Sequence, residues 1–171
     1  MKRKLLSILL TFCLAFSLLP TSALAEGETV TLQSQIATSG TVTLDKDYTE
    51  DITIPSGADV TLDLNGKTLS NTNNSKATLS VEGTAVVKNG TINGGTGYYN
   101  IEVKTGGSLT LENVTATAGN NGSSMIDNWG TLTITSGTYT GGLNVVKSEP
   151  EAKQILIVKD DGFKLGGTNN N

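Results

Sequence analysis

Residues 109–112 read Leu109-Thr110-Leu111-Glu112, and residues 132–135 read Leu132-Thr133-Ile134-Thr135. Apolar and polar residues alternate in both, the pattern of a half-buried strand, because successive strand side chains point to opposite faces. Val60-Thr61-Leu62-Asp63-Leu64 is a third such run. The spacing of these runs decides the fold. Leu64, Val87, Leu111, Ile134 and Val158 follow one another at intervals of 23, 24, 23 and 24 residues. Two residues before them stand Leu62, Ala85, Leu109, Leu132 and Leu156. Five residues after them stand Leu69, Ile92, Ala116, Tyr139 and Phe163. Leu79, Val103 and Ile126 form a partial fourth column, which Pro150 interrupts in the fifth repeat.

A fixed period in the twenties is the mark of a solenoid. A leucine-rich repeat would need a regular Leu/Asn skeleton, which is missing. A β-helix needs short strands separated by tight corners, and Asn65-Gly66, Asn89-Gly90, Ser136-Gly137 and Asp161-Gly162 supply residues that tolerate positive φ. Asn113-Val114 departs from that pattern. The expected fold is all-β: a short right-handed parallel β-helix of about five coils, each burying its neighbour. Leu32-Gln33-Ser34-Gln35-Ile36-Ala37 sets apolar residues four apart, as a short helix would that covers the exposed end of the stack. The expected organisation is a signal peptide over 1–25, an N-terminal cap over 26–40, the β-helix over 41–165, and a linker or truncated C-terminus over 166–171.

The signal peptide rests on Lys2-Arg3-Lys4, the apolar run Leu5 to Leu19, and Ala23-Leu24-Ala25 before Glu26. A membrane anchor is the weaker reading, since Ser7, Thr11, Ser17 and Pro20 break the run below the roughly 20 apolar residues of a span. The chain is therefore expected to be secreted, with no membrane span after cleavage. Beyond residue 25 it has no Cys, His or Arg, and nine Lys stand against 16 acidic residues. That balance argues against nucleic acid, whose phosphates demand cations.

The stretch from Leu32 to Leu69 comprises a short helix, Thr41-Val42-Thr43-Leu44, Asp51-Ile52-Thr53-Ile54, Pro55-Ser56-Gly57 and Leu62-Asp63-Leu64-Asn65-Gly66-Lys67-Thr68-Leu69. It resembles the opening of pectate-lyase-like β-helix domains in large surface proteins of Gram-positive gut bacteria, and the likeness extends over nearly all of the mature chain. The Leu-Asp-Leu-Asn-Gly-Lys-Thr segment points to the fold and to no one activity, because that superfamily spans lyases, glycosidases, adhesins and phage spikes. Its lyases use an arginine base, and no arginine remains to carry that role.

A glycosidase needs two carboxylates flanking one bond. Counted by the columns above, Asp63 stacks with Val86, Thr110, Thr133 and Ile157, so no second carboxylate joins it. One position on, Asn65, Lys88, Glu112, Thr135 and Lys159 read as a ladder in which Lys88 and Glu112 pair for register. Asp45, Asp47, Asp160 and Asp161 lack the Gly-spaced pattern of calcium-binding solenoids. A serine nucleophile would have no histidine base, and Asn93-Gly94-Gly95-Thr96-Gly97 lacks the lysine and helix of a phosphate loop. No catalytic residue, cofactor or metal is expected, and the chain is read as a non-enzyme.

Four variable segments, Ser70–Lys76, Asn93–Asn100, Thr117–Ser124 and Thr140–Asn144, follow the same strand of each repeat and should emerge side by side. Such a row of loops is a solenoid's usual binding face. The candidate ligand residues are Tyr98, Tyr99, Asn93, Asn100, Asn120 and Asn121, since rings and amides suit sugars. The competing reading is plain polar loops. Trp129 is read as packing. A threonine ladder of Thr61, Thr110 and Thr133 raises ice binding, which Val86 and Ile157 interrupt. The expected function is a secreted or cell-surface, adhesin-like module for glycans or host or neighbouring-cell surfaces. The alternative is the N-terminal piece of a polysaccharide lyase or glycosidase whose active coils lie elsewhere. Self-association through the open C-terminal coil is a further expectation.

Overall fold

The computed structural model describes residues 30–36, 40–119, 123–156 and 164–166. The expected signal peptide and Asn120, Asn121, Val158 and Phe163 lie outside them.

The chain from Thr31 is an all-β parallel solenoid of about five turns. It opens with α1 (Leu32–Gln35). The first coil holds β1 (Gly40–Thr43), β2 (Tyr48–Thr49) and β3 (Ile52–Ile54); the second holds β4 (Asp59–Asp63), β5 (Thr68–Ser70) and β6 (Leu79–Val81). The third is β7 (Thr84–Asn93) and β8 (Ile101–Val103), and the fourth is β9 (Ser108–Thr117) and β10 (Ile126–Asn128). The fifth is β11 (Thr131–Ile134), β12 (Gly137–Thr140) and β13 (Val146–Ser148), after which β14 (Lys153–Leu156) and β15 (Lys164–Gly166) add a further layer. Two faces belong to one bent sheet. One face runs β1-β4-β7-β9-β11-β14; the other is made by β2, β5, the second halves of β7 and β9, β12 and β15. The third face is a separate sheet in the order β3-β6-β8-β10-β13.

The central rungs stand as the spacing predicts: Ala85, Leu109 and Leu132 stack in one line, Val87, Leu111 and Ile134 in a second, and Leu69, Ile92, Ala116 and Tyr139 in a third. At both ends the register differs by two residues. Leu62, not Leu64, is the partner of Val87, and Val60, not Leu62, is the partner of Ala85. Gln154 faces Leu132 and Leu156 faces Ile134, the slots expected for Leu156 and Val158. Leu165 faces Tyr139 where Phe163 was expected. At the N-terminal end the cause is corner length. Four residues separate β4 from β5, whereas Asn89 alone separates the two halves of β7. Leu64 consequently sits in the corner, still buried, where it fills the space that a Cβ on Gly90 would occupy.

The third face is also re-registered. Leu79 pairs with Ile101, and Ile101 pairs with Ile126, while Val103 aligns with Val81 and Asn128. Val146 continues the Ile126 line in the fifth coil, so Pro150 does not interrupt it. Among outward positions Asp63 pairs with Lys88, which pairs with Glu112, and Lys88 Nζ lies 3.7 Å from Asp63 Oδ2. A second carboxylate, Glu112, therefore does join the Asp63 column, two coils away and with Lys88 on the coil between. The threonine line on the first face reads Thr41, Thr61, Val86, Thr110, Thr133 and ends at Ile155.

Local chemistry explains the corners. Asn65, Asn89 and Asn113 take φ of 50°, 59° and 53°, the left-handed region that Asn tolerates best after Gly. Asn113 thus conforms to the other two. Val114 can follow it because the aligned residues on the coils either side are Gly90 and Gly137. At another corner Gly83, Gly107 and Gly130 each lie against a carbonyl of the preceding coil, where a Cβ would come within 2.3 Å of oxygen. The helix closes the core: Leu32 and Ile36 are fully buried, and the Thr31 side chain accepts from Ser34 N at 3.1 Å as N-cap. Full burial of each such side chain contributes about 1.5–3 kcal/mol.

Candidate functional site

The third face positions the site. Its strands are three residues long; in β3, β6, β8 and β10 the outer two residues are buried in the core and the middle one faces outward. The middle residues form the line Thr53, Ser80, Glu102, Asp127, Lys147, each paired with the next. Neighbouring strands lie about 4.8 Å apart, so Glu102 and Asp127 are outward carboxylates on adjacent coils. Outward residues of a solenoid are ordinarily wet, yet Glu102 is 7 % exposed and Asp127 is 3 %. Neighbouring side chains cover them.

Three of those neighbours are aromatic. The loop between β7 and β8 delivers Tyr98 and Tyr99, whose rings meet edge to face with centroids 4.8 Å apart. Trp129 follows β10 directly, and its indole Nε1 donates to Asp127 Oδ2 at 2.8 Å. Trp129 remains 44 % exposed. The expectation that it packs into the fold is therefore overturned: tied by its nitrogen, it stands on the surface. Tyr98, Tyr99, Trp129, Glu102, Lys104 and Asp127 together line an open depression of about 390 Å³. A second depression, of about 290 Å³, shares Tyr98, Glu102 and Lys104 and extends toward Asp51 and Lys76, which pair at 2.8 Å.

Charge is distributed unevenly here. Lys104 Nζ donates to Glu102 Oε1 at 2.5 Å, and that bond raises the lysine's affinity for its proton. Lys147 pairs with Glu149, which likewise raises its pKa, and lies 3.7 Å from Asp127 Oδ1. Burial raises the Tyr98 hydroxyl above its ordinary value, and the Glu102 charge adds to the shift. Asp127 Oδ1 is buried and accepts no hydrogen bond among the described residues. The arrangement can stack flat apolar rings against its aromatics and accept hydrogen bonds at its floor.

The other residues singled out from the sequence fall elsewhere. Asn93 ends β7 on the bent sheet, between Ser70 and Thr117. Asn100 is buried, and its amide donates to Thr117 O at 2.5 Å, so it holds one loop onto the next. The loops do stack side by side: Thr96 N donates to Asn74 Oδ1 at 3.0 Å, and Leu143 N to Ser123 O at 2.8 Å. Glu102, Asp127 and Trp129 were missed. The signal for the carboxylate pair is the alignment of Ile101-Glu102-Val103 with Ile126-Asp127-Asn128, two residues away from the column that sets Val103 beside Ile126. Comparison with protein-family models, curated proteins and solved structures finds no match to the chain.

Proposed function

We propose that this β-solenoid is a secreted, adhesin-like module that binds glycans in the depression bounded by Tyr98, Tyr99 and Trp129. The observation that supports it is the gathering of three partly exposed rings over two outward carboxylates on one face. Aromatic rings take the apolar faces of sugars, and buried acceptors take their hydroxyls. Secretion is supported by the basic, apolar and small-residue pattern of residues 2–25. A glycan array probed with the secreted protein and with Trp129→Ala tests the reading. Array signal that falls at least about fivefold in the variant supports it; equal signal from both proteins refutes it. The mass of the secreted chain should correspond to a start at Glu26.

A polysaccharide-cleaving enzyme is the second reading, favoured by Glu102 and Asp127 lying on adjacent coils. Against it, both carboxylates are already engaged, Glu102 accepting from Lys104 and Asp127 accepting from Trp129. Release of reducing ends from a polysaccharide, abolished by Glu102→Gln, would establish this reading in place of the first.

A further inference from the structure

We infer that the depression selects a sugar bearing a positive charge, a glucosamine-type residue with a free ammonium group; the inference rests on the glycan reading above. Three features of the site converge on a cation. The first is the floor. Asp127 lines the open depression with a side chain only 4 % exposed, and its Oδ1, buried just beneath, accepts no hydrogen bond among the described residues. A buried carboxylate oxygen without a donor is costly, and a charged donor offsets that cost better than a neutral one.

The second feature is how the nearby cations are engaged. Lys104 is bound to Glu102, and Lys147 is bound to Glu149, leaving its ammonium 3.7 Å from Asp127 Oδ1 and beyond hydrogen-bond reach. Glu102, Asp127 and Glu149 thus share two ammonium groups, Lys104 and Lys147, and Lys147 divides its charge between Glu149 and the more distant Asp127. The third is the wall. Tyr98, Tyr99 and Trp129 present rings whose faces attract cations, and together with carboxylates they form the surroundings in which ammonium groups are recognised. A neutral hydroxyl would satisfy Asp127 Oδ1 but would gain little from the rings. An anionic uronate would meet Glu102 and Asp127 with repulsion. The raised pKa of the Tyr98 hydroxyl, due to burial and then Glu102, agrees with a site that resists further negative charge.

The test is calorimetric titration of the mature protein in mildly acidic, low-salt buffer with a glucosamine tetramer, its fully N-acetylated counterpart, and choline chloride. The expected result is binding of the glucosamine tetramer about tenfold or more tighter than the acetylated one, weakening as salt is raised. Asp127→Asn keeps an acceptor for Trp129 Nε1 and removes the charge; it should abolish the preference while leaving the melting temperature close to that of the parent. If Asp127→Asn fails to fold, the parent's preference between the two tetramers decides alone. Equal or tighter binding of the acetylated tetramer would overturn the inference and leave the glycan reading standing. Choline bound as tightly as the glucosamine tetramer would place the cation on something other than a sugar and would also overturn it. If neither tetramer binds and a glycan array is blank, the glycan reading falls with it.

Discussion

Gln33 meets Thr53 through both polar atoms of its side-chain amide: Nε2 donates to Thr53 O at 3.0 Å, and Thr53 N donates to Gln33 Oε1 at 2.7 Å. Thr53 is the middle residue of β3, the edge strand of the third face. One side chain therefore stands in for a missing strand, satisfying the backbone groups that an open edge leaves free. Glu50 supports the same junction by accepting from Leu32 N and Gln33 N at 3.1 and 3.3 Å at the start of α1.

Gln33→Ala should lose about 1–2 kcal/mol of stability, because two partly buried backbone groups lose their partners. Urea unfolding followed by circular dichroism measures this. Sizing chromatography should also show more self-association, since the edge is uncovered. An unchanged midpoint with an unchanged elution volume would mean the pair contributes nothing.

The corners give three substitutions at two positions. Gly107→Ala places a Cβ 2.3 Å from the backbone oxygen of Val81, which has no freedom to turn aside, and should destabilise by about 1–3 kcal/mol. Asn113→Ala should cost about 1–2 kcal/mol because φ at this residue is 53°. Asn113→Gly relieves the backbone but removes the bond from Asn113 Nδ2 to Asn89 Oδ1 at 3.3 Å, so its loss should be smaller than that of Ala. Thermal melts of the three variants check the order; Gly worse than Ala at position 113 would contradict it.

Stability should fall in strong alkali through Tyr139. Its ring is buried among the stacked coils, its hydroxyl donates to Ser136 O at 3.1 Å, and burial pushes its pKa far above the ordinary 10.0. Folding therefore holds a proton that the unfolded chain releases as pH rises past about 10. The contribution is complete below that pH and declines above it. Melting temperatures across the alkaline range should show the decline in the parent and a shallower one in Tyr139→Phe. Identical slopes would exclude Tyr139 as the source.

Much of this fold is legible in the sequence, and the part that is not has a definite cause. Alternation and the interval near 24 residues identify the strands and align Val87 with Leu111 and Ile134. A slip of two residues leaves every inward residue inward, so hydrophobic pattern cannot detect it. Corner length decides instead, and Leu64-Asn65-Gly66-Lys67 is a longer corner than Asn89 alone. The slip matters most for chemistry, because it changes which outward residues are neighbours. It hid the Asp63–Lys88 pair and the contiguity of Glu102 and Asp127. Tyr98 and Tyr99 were visible because they are adjacent aromatics in a polar loop. Trp129 was not, since nothing in its local sequence distinguishes an indole tethered by Asp127 from one packed in a core.

The most direct test of the binding account is the double variant Tyr98→Ala/Tyr99→Ala, compared with the parent for affinity toward the strongest array glycan and for melting temperature. Each ring contact contributes on the order of 1 kcal/mol. The account predicts binding weakened about fivefold or more, with the melting temperature nearly unchanged, because both rings lie in a loop and line a surface depression. Unchanged affinity, or affinity lost only because the double variant unfolds, would contradict it.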